Sequence, residues 1–377
     1  MIHSVYLDNA ATTAIDPLVA EVVYQSMLQD YGNPSSIHTP GRKSRGKVEQ
    51  ARKSIAKIFN ASPSEIIFTA GGTEADNLAI RGAVNGLGVK HIISSKIEHS
   101  AVLTTILNIS ESSDVEVHWV KHLPNGMIDL MYLDQLLVLC ADSPTLVSLM
   151  HINNEVGNEI NLDVIGKMCR NYKNTYFHSD TVQSIGHQIL DLKSLPVDFI
   201  TCSAHKIHGP KGVGFLYAKG NLPIKSIVTG GNQERNNRAG TENIAGIVGM
   251  QKALELAYTD IETKEESIKS IKAYAISQLR EKLPKIVFNT NLEHSCNSIL
   301  SVQLPSEKDA SILLFNLDLA GVYVSGGSAC TSGSNKGSHV LTELGVSPNN
   351  PSIRVSFSRL SKISDVDQLI ESLLKSI

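Results

Sequence analysis

The sequence predicts an α/β protein: a mainly parallel seven-stranded sheet between helices, joined to a smaller α+β unit. Two observations carry this. Seven short apolar runs lie at 65–69, 91–95, 115–120, 145–150, 175–180, 197–202 and 213–218, and helix-like stretches at 73–86, 98–109, 131–140 and 162–172 separate several of them. Alternation of this kind builds a parallel sheet wrapped by helices. Past residue 242 the rhythm changes to a long helical segment, 242–283, and then to shorter strand-like runs. A chain of 377 residues can fill two cores. The larger unit is expected at 13–257, and the smaller at 1–12 and 258–377.

Each element has a local reason. Asp16 and Pro17 supply an N-cap acceptor and a first-turn proline for a helix that runs to about residue 31, where Gly32 stops it. A second helix covers about 41–59, with Val48, Ile55 and Phe59 on its apolar stripe. The seven strand-length runs and their intervening helices follow. The segment 242–283 becomes highly charged past Asp260. After it come "KIVFN", "SILSVQL", a Gly/Ser-rich loop at 325–338 and a strand near "SIRVSFS". The first dozen residues are expected to pack on this second unit.

Several classes of function are disfavoured. A formal net charge of −3 gives no electrostatic case for nucleic acid or an anionic membrane surface. The apolar runs fall far short of the roughly 20 residues a spanning helix needs. The N-terminal "MIHSVYLDNAATT" has no basic region followed by an apolar one, so no export signal is expected. Cys140, Cys169, Cys202, Cys296 and Cys330 form no CxxC pair, and an odd count argues against a disulfide framework. A reduced, cytoplasmic protein with no metal centre is the expectation.

The chemistry centres on "SAHKIHGPKG" (203–212), which brings Lys206 to the end of an apolar strand where functional loops of such sheets gather. Desolvation lowers a lysine below its usual pKa of ~10.4 and makes the amine nucleophilic, able to condense with an aldehyde such as that of pyridoxal 5'-phosphate. That cofactor needs an acid opposite its pyridinium nitrogen. Asp180 in "FHSDTVQS" ends the preceding strand, although a helix N-cap would use the same residue. Gln183 is three residues further on, within reach of the ring oxygen. "TAGGTEADN" (69–77) offers backbone N–H groups and the Thr73 hydroxyl to a phosphate; a plain strand-to-helix turn reads the same way. His99 follows the strand at 91–95 and could stack on a flat ring, or be an ordinary surface histidine. Cys330 lies in "YVSGGSACTSGSNKGSHV" (323–340), a loop-like stretch without apolar period. Such a thiol has the access that reactivity requires, and an incidental loop thiol is the equal alternative. Arg354, on a strand of the second unit, has a fork suited to a carboxylate, or to a structural ion pair.

Taken together, these segments resemble the cysteine desulfurases of the NifS/IscS type, pyridoxal-phosphate enzymes of aminotransferase class V and fold type I. The resemblance spans nearly the whole chain: "YLDNAATT", "YGNPSSIH", "GGTEADN", "EHSAV", "HINNEVG", "HSDTVQSIG", "SAHKIHGPKGVG", "RAGTEN", "SGGSACTSG" and "SIRVSFSR". It implies that Lys206 is the Schiff-base lysine, with Gly209, Pro210 and Gly212 bending the chain beside it. Gly72, Thr73, Ser203 and His205 become phosphate contacts, and Thr241 a phosphate contact donated by the second subunit of a homodimer. Asp180 pairs the pyridinium, Asn154 and Gln183 contact the ring oxygen, and His99 stacks on the ring. Asn33 and Arg354 hold the carboxylate of L-cysteine, and Cys330 takes the sulfur as a persulfide for an iron–sulfur scaffold or another sulfur carrier.

Two departures stand out. Ala204 occupies a position where many relatives carry glycine. The chain also ends soon after the last motif, whereas housekeeping members carry a longer tail that helps dock the scaffold; this places that partner in doubt. Competing expectations are a selenocysteine lyase of the same fold, a class V aminotransferase needing no loop cysteine, and a non-catalytic carrier. Lys206, Asp180 and His99 speak against the last.

Overall fold

The computed structural model describes residues 4–306, 308–326, 337–347 and 350–377. Cys330 therefore lies outside the described residues. In chain order the elements are β1 (Val5–Tyr6), α1 (Pro17–Gln29), α2 (Thr39–Ile58), β2 (Ile66–Thr69), α3 (Gly72–Leu87), β3 (His91–Ser94), α4 (Ser100–Ser112), β4 (Glu116–Trp119), α5 (Leu130–Leu139), β5 (Thr145–Ser148), α6 (Leu162–Arg170), β6 (Thr175–Asp180), β7 (Phe199–Ser203) and β8 (Gly214–Ala218). Then follow α7 (Ile244–Tyr258), α8 (Ile261–Lys282), β9 (Val287–Phe288), β10 (Ile299–Gln303), α9 (Ala310–Leu319), β11 (Val322–Tyr323), α10 (His339–Glu343), β12 (Ser352–Ser356) and α11 (Ile363–Ser376). No helix among the described residues is long and apolar enough to cross a membrane.

The expected starts are physical. Asp16 caps α1 by accepting from the Leu18 N–H at 2.8 Å, with Pro17 as the first helical residue. The single helix expected over 242–283 is two: α7 ends at Tyr258 and α8 begins at Ile261, with Asp260 at φ +51° between them. No proline or glycine marks that break, which is why composition passed over it.

The seven-stranded sheet has the order β2-β8-β7-β6-β5-β3-β4. β4, β3, β5, β6 and β7 pair in parallel, while β8 runs antiparallel to both neighbours, β7 and β2. Successive side chains of a strand face opposite sides of its sheet, and the core follows that rule. Phe68, Ile93, Val147 and Phe215 join one apolar cluster with residues of α2, α5, α6 and α7. Their neighbours Ile67, Ile92, Leu146 and Leu216 join another with α3 and α4. A separate core collects Val5, Leu7, β10, β12, α8, α9 and α11. The N-terminal segment is tied to it: β1 pairs with β11, and the Asn9 amide donates to the Ser356 carbonyl at 2.9 Å.

Candidate active site

Parallel strands deliver their carboxyl ends, and the loops that follow, to one edge of the sheet. Five such ends meet here around a cleft of about 930 Å³. They contribute the start of α3 after β2, His99 after β3, Met150 to Glu155 after β5, Asp180 at the end of β6, and Ser203 to Lys206 after β7. Arg354 on β12 and His339 on α10 line the same cleft.

Lys206 occupies a single 3-10 turn, Ala204–Lys206, directly after β7. Its ammonium donates to the carbonyls of Ala10 at 2.5 Å and Ala11 at 2.9 Å, and Gln183 Nε2 donates to the same Ala10 carbonyl at 3.0 Å. The bend after it needs small residues. A Cβ on Gly209 would lie 2.7 Å from the Ala204 carbonyl oxygen, and Gly212 has φ +77°. Ala204 itself is buried in the core.

Beside Lys206 sits a group of acids. Asp76, His99 and Asp180 present ligand-bearing atoms that all lie within 4.8 Å of one another. Asp180 accepts from the Val182 N–H at 2.9 Å and the Thr201 hydroxyl at 3.4 Å. Asp76 is fully buried, and burial, reinforced by Asp180, holds its carboxyl well above the usual range. Glu98 is raised in the same way, by burial first and then Asp180. His99 is lowered by burial, with Asp180 opposing and Lys206 and His339 adding to the shift. Its Nδ1 accepts from the Ala101 N–H at 3.1 Å and caps α4. When the ring is neutral its proton is therefore on Nε2.

The anion cradle is the N-terminus of α3. Gly71 precedes the helix at φ +154°, a conformation open to glycine, and no side chain caps the helix. A Cβ on Gly72 would meet Val182 Cγ2 at 2.8 Å, and Ser203 Oγ lies close to Gly71. The helix N–H groups are thus left to a ligand, where the dipole favours negative charge. Thr73, Ser203 and His205 line the same side. Burial, with Lys206 and Lys211 nearby, lowers His205 to about 4, so it stays neutral there; it hydrogen-bonds the Thr12 hydroxyl at 3.1 Å. These residues fit pyridoxal phosphate: an uncapped helix end for the phosphate, a lysine for the aldehyde, and Asp180 for the ring nitrogen. Asn154 is beside them, with a buried Oδ1 that has no hydrogen-bond partner among the described residues.

Other sequence candidates fall differently. Arg354 lines the cleft, but its Nη atoms donate to the Asn154 carbonyl and to Asp8 Oδ1, both at 2.8 Å. Asn33 is exposed, accepts locally from the Ser35 N–H at 2.9 Å, and is not among the residues lining the cleft. Thr241 is exposed and lines a separate, smaller pocket with Ala70 and Gly212. Sequence reasoning passed over Asp76, Glu98 and His339. Asp76 had a usable signal: it stands four residues after Gly72 on α3, hence on the same helix face. His339 had none, because it arrives from α10, far along the chain, where its Nε2–H donates to the Glu98 carbonyl, 3.0 Å away.

Comparison with known proteins agrees with this architecture. The family model described as Aminotransferase class-V matches residues 5–369. A cysteine desulfurase IscS from Dictyoglomus turgidum is 40% identical over 348 residues, covering 92% of this chain and 87% of that protein. The structure of a NifS-like protein superposes with a TM-score of 0.91 at 33% identity, covering 99% of each chain. A structure described as SspA in complex with cysteine gives a TM-score of 0.79 at 29% identity, covering 95% of this chain and 100% of the other.

Proposed function

This chain belongs to the class V aminotransferase family, among its cysteine desulfurases, and from that premise we propose how its own residues do the work. The enzyme converts L-cysteine to L-alanine and passes the sulfur on. Lys206, Asp180, His99 and the α3 cradle hold pyridoxal 5'-phosphate, and Cys330 receives the sulfur.

When bound, the cofactor supplies an electron sink for the substrate's α-carbon. Lys206 is the amine that holds its aldehyde and, once displaced by substrate, the base that moves the α-proton. Asp180 would face the ring nitrogen. His99 lies against the ring with a proton at Nε2. Gly72, Thr73, Ser203 and His205 hold the phosphate, and Asn154 and Gln183 contact the ring oxygen. Arg354 holds the substrate carboxylate by exchanging part of its bonding to Asp8. In the sulfur step the Cys330 thiolate attacks the substrate sulfur. The C–S bond breaks with its electron pair going to carbon, which takes a proton, and an S–S bond forms. The balance is L-cysteine plus thiol giving L-alanine plus persulfide.

The observation that carries this reading is Lys206 at the end of β7, one strand from Asp180, in a cleft whose facing helix end is uncapped. The choice of Cys330 is supported by the other cysteines. Cys140, Cys169, Cys202 and Cys296 are all buried, and burial raises each thiol.

A homodimer belongs to the same proposal, with Thr241 reaching the partner's phosphate. Its support is the position of Thr241 outside its own cleft and the exposed apolar side chains of Leu18, Tyr24, Met27 and Leu28 on α1. The units 13–257 and 1–12 with 258–377 would act as domains, each with its own core. A cytoplasmic setting suits four buried, unpaired thiols. The sulfur acceptor would be an iron–sulfur scaffold or another carrier protein.

The test is to supply the purified enzyme, with a thiol reductant, with L-cysteine, L-selenocysteine or a keto acid. Sulfide and alanine in equal amounts from L-cysteine are expected. Selenide release without sulfide would favour a selenocysteine lyase, and transamination of the keto acid would favour an aminotransferase.

A further inference from the structure

At the opposite end of the strands from the cleft, four side chains of metal-ligating type converge. His91 opens β3, Glu116 opens β4 beside it in register, and His118 stands two residues further along β4, on the same face. Cys140 caps the C-terminus of α5, held by its N–H donating to the Leu136 carbonyl at 3.1 Å. His91 Nδ1 and His118 Nε2 are 3.1 Å apart, and the Cys140 sulfur lies within 4.8 Å of both ligand-bearing nitrogens. The Glu116 carboxylate reaches the same nitrogens, 3.6 Å from His91 Nδ1 and 3.8 Å from His118 Nε2. The sequence expectation was no metal centre; His91 and Cys140 stand 49 positions apart in the chain, and only the fold brings them together.

We propose that His91, His118, Cys140 and Glu116 form a binding site for a divalent zinc ion. Tetrahedral zinc with Zn–N arms of about 2.0–2.1 Å places two nitrogens about 3.3 Å apart, close to the separation present between the two imidazoles. A sulfur about 2.3 Å from the metal lies roughly 3.6 Å from each nitrogen, within the 4.8 Å that bounds the three ligand atoms here. Two nitrogens, one sulfur and one oxygen select zinc over magnesium or calcium, which take oxygen ligands.

The surroundings are graded as an entry path requires. Cys140 is buried, the imidazoles are part-buried, and Glu116 is largely exposed at the sheet edge. Zinc binds imidazole through an unprotonated ring nitrogen. On binding, the thiol proton leaves to solvent as the Zn–S bond forms. The proton shared between the imidazoles moves to a remote ring nitrogen, and no electron changes hands. The ion would clamp β3 and the edge strand β4 to the end of α5, at the opposite end of the strands from Lys206.

The experiment uses the cofactor-loaded, full-length enzyme. It is stripped with a chelator, incubated with zinc chloride, desalted against a weak chelator and assayed for retained zinc by mass spectrometry. X-ray absorption at the zinc edge reads the ligands. About one zinc per chain, with one sulfur and two or three nitrogen or oxygen ligands, is expected in the wild type and in Cys330→Ala. Cys140→Ser and His118→Gln should each retain less than about a tenth of that, with desulfurase activity and circular dichroism unchanged. The proposal is overturned if the wild type retains no zinc. It also fails if the zinc persists in both Cys140→Ser and His118→Gln, or if it vanishes in Cys330→Ala.

Discussion

Asp76 and Asp180 bring two carboxyl groups within 4.8 Å of each other beneath the cleft, one on α3 and one at the end of β6. Two adjacent carboxylates repel, so a buried pair of this kind shares its charge unequally. Burial, reinforced by Asp180, raises Asp76 well above the usual carboxyl range, so Asp76 is the member of the pair that burial drives toward the protonated form.

This division is testable by amide substitution. Asp180→Asn should lower cofactor retention and sulfide production by about 100-fold or more, since it removes the charge that stabilises the protonated ring. Asp76→Asn replaces a neutral acid with a neutral amide and should keep the cofactor colour. If Asp76→Asn bleaches as completely as Asp180→Asn, the charge has been assigned to the wrong carboxyl.

Lys206 and Cys330 should separate in their spectra. Lys206→Ala should lose sulfide production by about 10²-fold or more, the range expected of a lost general base, with the resting visible spectrum altered. Cys330→Ala should keep that resting spectrum, respond to L-cysteine, and stall before alanine is released. After a cysteine pulse to the wild type, peptide mass spectrometry should find the added sulfur on the Cys330 peptide. Added sulfur on Cys202 or Cys296, or wild-type alanine release by Cys330→Ala, would reassign the nucleophile.

Acid should destabilise the fold through two buried histidines. Burial lowers His151 to about 4 and His178 to about 3, while in the unfolded chain each titrates near 6.5. Below 6.5 the unfolded chain therefore binds more protons than the folded one, and stability falls with pH. The loss begins near pH 6.5 and stops growing near pH 4 for His151 and pH 3 for His178. Each contributes at most about 1.4 kcal/mol per pH unit. Urea unfolding of His151→Gln between pH 7.5 and 5 should show a shallower decline than the wild type; an identical slope would remove His151 from the account.

Arg52 and Glu234 form a buried bidentate pair at 2.7 and 2.8 Å, and Glu234 also accepts from the Phe68 N–H at 2.8 Å on β2. Removing one partner strands a buried charge. Arg52→Met should cost about 3–5 kcal/mol, read as a lower urea midpoint. Adding Glu234→Gln should recover more than half of the loss. A single variant with the wild-type midpoint would show that water relieves the stranded carboxylate.

The sequence by itself determined the alternation of strands and helices, the strand-end positions of Lys206, Asp180 and His99, and the glycine turn at Gly71 and Gly72. These are local quantities: residue identity, period, and the chemistry of a turn. Some misses were also local in origin. The break at Asp260 lacks a proline or glycine, and the antiparallel run of β8 follows from a connection too short for a parallel crossover, a dozen or more residues. What only the tertiary structure decided is which distant residues meet. The carbonyls of Ala10 and Ala11 reach Lys206 across some 195 residues of chain. Asp8 occupies the guanidinium of Arg354. His91, His118 and Cys140 converge because β3 and β4 lie side by side in one register and α5 ends against them. Such encounters depend on strand order and on how helices pack across the sheet, and those are set by the burial of many side chains at once rather than by any short stretch of sequence.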